Sequence, residues 1–371
     1  MTVATAFSTH TDPTEALAEI RAGLSAVEPA LVIAFGSSLI APDAIASGLA
    51  EAFPDARVAG CTTAGEIVSG HMLKGALVAM AFDAAHLLDV DVQVIRNLSE
   101  GVHVSAAFAG FAEHFGIPVS DMSLAEYVGI VLVDGLCGAE ERLMEAIGDR
   151  TNVVFVGGSA GDDGAFKQTH VFADGEALSD AAVLILMKPA VSFSILKTQS
   201  FVPMDITLVA TKTDEARREV IEFNRRPAVE AYAEAVGLPV HRAAEGFMNH
   251  PMGLMVGDEP YVRSPQQVLE NGTIRFYCNV IEDMKLSVLE GTDIIADTRE
   301  TVADAVADLG GMSALINFNC ILRTLELDAE GLSGEYGELF ADMPTVGFST
   351  YGEQYLGHIN QTATMLAFAE E

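Results

Sequence analysis

Three segments of this chain repeat one pattern, and this repeat constrains the fold more than any other feature of the sequence. Each segment contains a short apolar run, an amphipathic stretch and a second apolar run, and the three begin at Leu31, Ile130 and Ala314. The alternation predicts strand–helix–strand units with buried strands, and a further apolar strand follows each unit. The sequence therefore predicts an α/β fold of repeated β-α-β-β units that form helix-covered sheets. The pattern leaves open whether the sheets are separate or stack as a layered αββα sandwich.

The second apolar run of each segment ends in a turn of glycine, small hydroxyl residues, a second glycine and an acid. In the first segment these are Gly60, Thr62, Thr63, Gly65 and Glu66. Glycine permits positive φ or close approach of another backbone, while hydroxyls and carboxylates can bind amides or a polar ligand. Turn chemistry alone explains any one turn, but three equivalent turns predict a common ligand site. The predicted ligand-binding residues of the turns are Thr62, Thr63, Glu66, Ser159, Asp162, Asp163, Tyr351 and Glu353.

The charge balance argues against two classes of partner. The chain has 20 Lys and Arg against 53 Asp and Glu residues, a formal net charge of −33. A negative field of this size repels nucleic-acid phosphates and anionic membrane surfaces. No apolar run reaches the roughly 18 residues of a membrane span, and residues 1–14 lack the pattern of a signal peptide. We therefore expect a cytoplasmic protein that neither binds nucleic acid nor inserts into a membrane.

An ordered set of short motifs resembles the FIST family over nearly the whole chain. No single motif is specific, but their order is. The motifs are residues 60–66, 134–136, 157–163, 172–175 and 178–182, followed by 226–228, 251–254, 262–265, 318–323, 347–353 and 360–362. The resemblance implies a FIST N-terminal sensory domain, placed at residues 1–204, and a FIST C-terminal domain at 205–371. It also implies a small-ligand sensor of bacterial signal transduction that is not an enzyme.

The segment 247–254 is similar to the NosP group of this family, which are nitric-oxide-sensing haem proteins. That similarity implies haem b as the cofactor and a sensor histidine kinase, or another signalling protein, as the partner. Other members of the family imply an alternative, a haem-free sensor of amino acids or of another small metabolite.

Three histidines are candidates for the haem-binding site, because the axial ligand of haem is commonly a neutral histidine in an apolar pocket. His250 lies in the apolar loop 247–252 and is the predicted iron ligand. His71 and His358 each follow a turn acid by five residues and are the other two candidates. The plain alternative for His250 is a loop histidine that only makes a hydrogen bond.

One motif suggests catalysis, because residues 157–161 match the G-x-S-x-G pattern around Ser159. The hydrolase version of this motif requires a helix directly after the serine. Here a further strand is predicted instead, and the neighbouring Asp162 and Asp163 would oppose a developing oxyanion. A hydrolase that uses Ser159 is therefore the least favoured of the three functions considered.

An amino-acid ligand would need a partner for each of its charges. The turn acids can accept its ammonium group, and Arg263 or Arg323 can pair with its carboxylate through two parallel hydrogen bonds. Both arginines are therefore included among the predicted ligand-binding residues.

Overall fold

The computed structural model describes residues 3–370, which form two compact units. The larger unit contains the chain up to Lys197, Arg299–His358 and the residues from Ala363 onwards. The smaller unit contains Thr198–Thr298 and Ile359–Thr362 and is therefore inserted into the larger one in sequence. The predicted division of the sequence after residue 204 stays a prediction.

The larger unit consists of three repeats. The first contains β1 (Val3–Ser8), α1 (Pro13–Gly23), β2 (Pro29–Ser37), α2 (Pro42–Ala52), β3 (Arg57–Thr63), β4 (Glu66–Val68), β5 (His71–Leu73) and β6 (Leu77–Asp83). The second contains β7 (Leu87–Arg96), α3 (Ser105–Phe115), β8 (Val128–Val133), α4 (Glu140–Gly148), β9 (Phe155–Ser159), β10 (Val171–Ala173), β11 (Glu176–Leu178) and β12 (Ala181–Pro189). The third begins with β13 (Phe193–Gln199) and resumes after the smaller unit.

The smaller unit contains most of the elements between β13 and the rest of the third repeat. They are β14 (Phe201–Asp214), β15 (Glu219–Phe223), β16 (Arg226–Pro227), α5 (Ala228–Ala235), β17 (Met252–Val256), β18 (Glu259–Arg263), β19 (Pro265–Val268), β20 (Ile274–Phe276) and β21 (Lys285–Gly291). These eight strands form one sheet, and α5 buries Tyr232 against apolar strand residues such as Phe223 and Phe276.

The third repeat continues with α6 (Ile294–Leu309), β22 (Met312–Cys320), α7 (Ile321–Glu330), α8 (Ser333–Glu338), β23 (Thr345–Thr350), β24 (Glu353–Tyr355), β25 (His358–Ile359) and β26 (Thr362–Ala369). The strands after each helix obey the predicted β-α-β-β pattern, and the first two strands of each unit pair in parallel. The predicted α/β class and the helix-covered sheets are confirmed.

The three sheets of the larger unit have the same strand order, and each borrows a hairpin from another repeat. The orders are β1-β6-β2-β3-β10-β11, β7-β12-β8-β9-β24-β25 and β13-β26-β22-β23-β4-β5. Thus the hairpin β10–β11, which follows the second turn, completes the first sheet. The hairpin β24–β25 follows the third turn and completes the second sheet, and the hairpin β4–β5 follows the first turn and completes the third sheet. Each repeat crosses to a neighbouring sheet at its glycine-rich turn.

The layers of the larger unit share one central core. The inner faces of all three sheets contribute to a single apolar cluster, in which the Phe35 and Phe348 rings lie 4.6 Å apart. The outer face of the first sheet packs on α1 and α2, and that of the second packs on α3 and α4. The arrangement places helices outside and sheets inside, as in a layered sandwich that is repeated three times. Within residues 3–370, no helix is long and apolar enough to cross a membrane.

Candidate functional site

The three glycine-rich turns meet in one place, which we call the turn junction. It contains residues 62–66, 159–163 and 349–353. Two backbone hydrogen bonds join each pair of turns. They are Gly161 N to Thr62 O (2.9 Å) and Asp163 N to Thr63 O (2.9 Å), Ser349 N to Gly65 O (2.7 Å) and Ala64 N to Ser349 O (3.1 Å), and Ser159 N to Gly352 O (2.8 Å) and Tyr351 N to Ser159 O (3.1 Å). The predicted convergence of the turns follows from the hairpin exchange, because each chain crosses between sheets at its turn.

The first glycine of each turn is required by close packing rather than by positive φ. A Cβ atom on Gly157 would lie 1.8 Å from the carbonyl oxygen of Val131 on the neighbouring parallel strand. The equivalent Gly60 and Gly347 face the carbonyl oxygens of Ala34 and Asn317 in the same way, at 1.9 and 2.1 Å. A side chain at these positions would push apart the two parallel strands that lead into the junction.

Two of the turn acids are buried next to a threonine of their own turn. The Thr63 hydroxyl donates to Glu66, and Glu66 also accepts a hydrogen bond of 3.0 Å from Ala76 N. In the third turn, Thr350 Oγ1 donates to Glu353 Oε1 at 2.5 Å. Burial raises the pKa of Glu66 to about 8 against the lowering effect of these hydrogen bonds, so this carboxyl is largely protonated at neutral pH.

The acid of the second turn has a different environment. Asp162 accepts hydrogen bonds from the Tyr351 hydroxyl and from the backbone N–H groups of Phe166, Lys167 and Gln168. Burial by itself raises the pKa of Asp162, but these hydrogen bonds outweigh it and the pKa lies below its ordinary value. Asp162 is therefore ionised at neutral pH, unlike Glu66.

The loop 163–168 covers Tyr351 and is held mainly by side chains. The ring of Phe166 stacks on Tyr351 with centroids 4.5 Å apart, although Phe166 is 53% exposed. Asp163 and Phe166 both have positive φ, which costs energy for residues other than glycine. Asp163 Oδ2 accepts from Ser37 Oγ at 2.9 Å and from Ser38 Oγ at 2.6 Å, which ties this loop to the end of β2.

Ser159 lies in a buried polar chain rather than at an exposed nucleophile turn. Gln354 Nε2 donates to Ser159 Oγ at 3.1 Å and lies 3.1 Å from His358 Nδ1. All three side chains are buried, and Gln354 Oε1 has no hydrogen-bond partner among residues 3–370. The element after β9 is β10, so the helix that a nucleophile elbow needs does not follow Ser159 in the described chain.

A second buried polar group lies between β22, β23 and the helices α7 and α8. We call it the third-repeat polar cluster, and it consists of Asn317, Asn319, Arg323, Thr324, Tyr336 and Ser349. Asn319 Oδ1 accepts from Arg323 Nε at 3.0 Å and from the Tyr336 hydroxyl at 3.1 Å. Arg323 is only 1% exposed, and its guanidinium carbon lies 5.9 Å from the centre of the Tyr336 ring.

The third-repeat polar cluster is continuous with the turn junction. Thr324 Oγ1 and Ser349 Oγ are 2.7 Å apart, and Ser349 belongs to the third turn. Burial raises the pKa of the Tyr336 hydroxyl, Arg323 lowers it and the Glu353 carboxyl raises it, so both charged groups act on this hydroxyl. Arg323 is thus beside the junction, as a residue that pairs with a ligand carboxylate would have to be.

Two of the predicted site residues, the haem candidate His71 and the predicted ligand-binding Arg263, belong neither to the turn junction nor to the third-repeat polar cluster. His71 begins the exposed edge strand β5, where its ring packs against Phe7 at 5.6 Å. Arg263 is the last residue of β18 in the smaller unit. Within residues 3–370, no group of three or more His, Cys, Asp or Glu side chains could hold a metal ion.

His250 also belongs to the smaller unit. Its Nδ1 lies 3.1 Å from the carbonyl oxygen of Leu289, and the Tyr232 hydroxyl donates to the His250 carbonyl at 2.8 Å. A histidine that donates from Nδ1 leaves Nε2 as the acceptor, which suits an axial ligand. The apolar residues predicted to wall a porphyrin fit less well, since Phe247 and Met252 are buried in the core of the smaller unit.

Several residues of the site were not predicted from the sequence. They are Ser37, Ser38, Asn317, Asn319, Thr324, Tyr336, Ser349, Thr350 and Gln354. The available signal was Asn317 and Asn319 in an otherwise apolar run, because polar residues at alternate positions of a buried strand share one face. Gln354 gave no signal, since only the hairpin exchange brings it to Ser159.

Comparison with known sequences places the chain in a family. Residues 30–226 match the FIST N domain, and residues 228–356 match the FIST C domain. The uncharacterized protein MJ1623 of Methanocaldococcus jannaschii is 23% identical over 295 residues, which cover 74% of this chain and 56% of that protein. The chain thus spans little more than half the length of this relative. With both domains matched in order over most of its length, the chain belongs to the FIST family, whose domains are associated with small-ligand sensing in signal transduction.

Proposed function

We propose that this protein is a non-catalytic sensor that binds a small zwitterionic metabolite of the amino-acid class beside the turn junction. The observation that supports it most strongly is the third-repeat polar cluster. The removal of a guanidinium and two amides from water costs free energy. Hydrogen bonds of Asn319 to Arg323 and of Asn317 to Tyr336 offset this cost in part, but Asn317 Oδ1 has no partner among residues 3–370. Such a cost is commonly retained at a functional site rather than in a structural core.

Comparison of the three repeats supports this interpretation. Asn317 pairs with Gly347 in the parallel register, as Ala34 pairs with Gly60 and Val131 with Gly157. The positions that are Asn317 and Asn319 in the third repeat are therefore Ala34 and Gly36 in the first, and Val131 and Val133 in the second. The same fold is built with small or apolar residues there in two repeats, so its architecture does not require the polar ones.

The chemistry of the cluster indicates how an amino acid would bind. The guanidinium of Arg323 is suited to a carboxylate. Glu353 and the ionised Asp162 are suited to an ammonium group, and Asn317 Oδ1, which has no partner among residues 3–370, is suited to an N–H donor. Because these groups are buried, we propose that the ligand selects a more open conformation and so shifts an existing equilibrium between two states.

The test is thermal unfolding of the purified protein with each free amino acid in turn. A ligand of the native state at a hundredfold excess over its Kd should raise Tm by at least about 2 °C. Arg323→Lys should lose this shift, because it removes the bidentate contact and keeps the charge. Arg299→Lys is the matched control, since Arg299 makes an exposed ion pair with Glu335. The absence of any stabilising amino acid, or an equal shift in Arg323→Lys, would reject the proposal.

A haem-based nitric oxide sensor is the second candidate, and the hydrogen bond from His250 to Leu289 is the observation that favours it. Bound haem b would supply an iron atom that binds nitric oxide, with His250 Nε2 as the protein ligand. The test is the absorption spectrum after reconstitution with haem, for wild type, His250→Ala and His241→Ala. His241 is an exposed histidine nine positions earlier in the sequence and serves as the control. A Soret band that only His250→Ala changes would support this candidate, whereas no band at stoichiometric haem would remove it.

We propose a sensor histidine kinase in the cytoplasm as the partner that reads the bound state. This follows from the family's link to signal transduction. The measurement is autophosphorylation of a purified candidate kinase with the sensor, in the presence and absence of the ligand found above. A rate that does not depend on the ligand would exclude that kinase.

A further inference from the structure

The loop 163–168 is exposed, and side chains of the turn junction hold four of its six backbone amides. The Tyr351 hydroxyl accepts a hydrogen bond of 3.0 Å from the first of them, Gly164 N. The Asp162 carboxylate accepts from the other three, which are the backbone N–H groups of Phe166, Lys167 and Gln168. The closed position of the loop therefore depends mainly on one carboxylate.

The acceptor capacity of Asp162 is fully used in this closed state. An ionised carboxylate offers about four lone-pair positions, two on each oxygen. Oδ1 accepts from the Tyr351 hydroxyl and from Phe166 N, the latter at 2.8 Å. Oδ2 accepts from Lys167 N at 2.6 Å and from Gln168 N at 3.0 Å. Because Asp162 is also only 3% exposed, a further donor can reach its carboxylate only by displacing one of these four.

Fixed residues on both sides limit any opening to residues 164–168. Before them, the Asp163 side chain is tied to the end of β2 by three hydrogen bonds. After them, Thr169 is 1% exposed and its hydroxyl donates to the Asp134 carboxylate. Between these anchors Phe166 has a φ of 51°, which costs energy for a residue other than glycine and is relieved when the segment opens.

A ligand ammonium group and the closed loop compete for the same carboxylate. In the proposed function the ammonium group of an amino acid contacts Asp162, and its three N–H donors need the acceptors that the loop amides now occupy. We propose that this contact releases residues 164–168 from Asp162 and that the open segment reports the bound state, an inference that rests on the proposed function. Release uncovers the face of the Phe166 ring that now stacks on Tyr351, which gives a signalling partner an apolar group to bind.

Quenched-flow hydrogen exchange with mass spectrometry tests the coupling, with a mixture of the standard free amino acids as the probe. A bound ligand commonly slows exchange around its site, whereas here exchange in residues 164–168 should become faster by roughly tenfold, because amide hydrogen bonds are lost. Exchange in β8 should not change, and Tm is measured on the same samples. A raised Tm with slower or unchanged exchange in residues 164–168 would overturn the release and leave the amino-acid sensor standing. A Tm and an exchange rate that both stay unchanged would reject both.

Asp162→Asn tests the hold on the segment without any ligand. It replaces one acceptor oxygen by an NH₂ group that faces backbone N–H donors, so exchange in residues 164–168 should be roughly tenfold faster than in wild type. The amino acids should then cause no further increase.

Asp180→Asn is the matched control for this variant. Asp180 also accepts a backbone hydrogen bond, from Ser99 N at 2.8 Å, and lies in the turn before β12 of the same repeat. Its replacement should leave exchange in residues 164–168 as in wild type, and unchanged exchange in β8 shows that each variant is folded. Wild-type exchange in Asp162→Asn, or equal acceleration in both variants, would overturn the proposal whether or not an amino acid binds.

Discussion

The outer layers of the second and third repeats differ in chemistry, although the same arrangement of strands and helices builds both. Below α3 and α4 the second sheet presents Val131 and Val133 to an apolar cluster. Below α7 and α8 the third sheet presents Asn317 to Tyr336 and Asn319 to Arg323. The difference teaches that the fold is specified by what the repeats share, and that function is to be sought where one repeat departs from the others.

The first prediction tests what the repeats share and has the largest effect. Gly157→Ala should destabilise the protein by at least about 3 kcal/mol, because the new Cβ would overlap the Val131 carbonyl oxygen. Gly60→Ala and Gly347→Ala should cost similar amounts. Gly334→Ala is the control: it is a helical glycine with nothing near its Cβ position, and it should be neutral or slightly stabilising. Urea unfolding measures all four, and a loss below about 1 kcal/mol in any of the first three contradicts the shared constraint.

The second prediction separates the acids of the first two turns by pH. Between its ordinary pKa of 4.5 and about 8, Glu66 holds a proton in the folded protein that the unfolded chain releases. Wild type should therefore lose stability relative to Glu66→Gln as the pH rises through this window, by an amount on the order of a few kcal/mol. The pKa of Asp162 is lowered in the folded protein. As the pH falls towards this pKa, wild type should therefore lose stability relative to Asp162→Asn.

Urea unfolding at a series of pH values from about 3 to about 9 measures both differences. Opposite slopes are the expected result. If the free energy of unfolding changed with pH in the same way for wild type and Glu66→Gln, the pKa of Glu66 would not be raised in the folded protein.

The third prediction concerns the contact between the second and third turns. Tyr351→Phe removes the hydroxyl that donates to Asp162 and accepts from Gly164 N at 3.0 Å. The loss should be about 1–2 kcal/mol, and the Phe166 ring contact should remain. Amide hydrogen exchange should become faster in residues 163–168 and stay unchanged in β8. Unchanged exchange in the loop would contradict the role given to this hydroxyl.

The fourth prediction has the smallest effect on stability and sharpens the comparison of the repeats most. Asn317→Val copies Val131 into the third repeat. It removes the 3.2 Å hydrogen bond from Asn317 Nδ2 to the Tyr336 hydroxyl, whereas Asn317 Oδ1 has no partner among residues 3–370 to lose. The free energy of unfolding should change by no more than about 1 kcal/mol, whereas stabilisation by the amino-acid ligand should disappear. Val131→Ile is a control within the apolar layer and should keep that stabilisation. A large loss of stability in Asn317→Val would mean that the cluster is structural.

Much of the larger unit could be predicted from the sequence, because its information is local. Periodicity gave the strand–helix–strand units, and the turn glycines gave the junction, in which Glu66, Asp162 and Glu353 lie as expected. The hairpin exchange could not be predicted, because β4, β10 and β24 are short and nothing in three residues specifies which sheet they join. Gln354 was missed for this reason.

The smaller unit illustrates a second limit of the sequence. His250 was singled out for its apolar neighbours, but periodicity alone does not tell whether such neighbours line a cavity or pack in a core. Phe247 packs on Tyr232 with ring centroids 5.2 Å apart, a contact between residues 15 positions apart in sequence. Neighbours of a candidate residue indicate how apolar its environment is, and not whether that environment is open.

The exchanged hairpins link the three repeats of the larger unit in a closed cycle, in which each sheet contains strands from two repeats. Repeats that contact only their neighbours can be added or removed one at a time. Here β24 and β25 of the third repeat complete the sheet of the second, whose own hairpin completes the first. Removal of one repeat would therefore leave an open sheet edge in another, so the number of repeats is fixed at three. A disturbance at one turn then affects all three sheets, which suits the sensor role proposed for this protein.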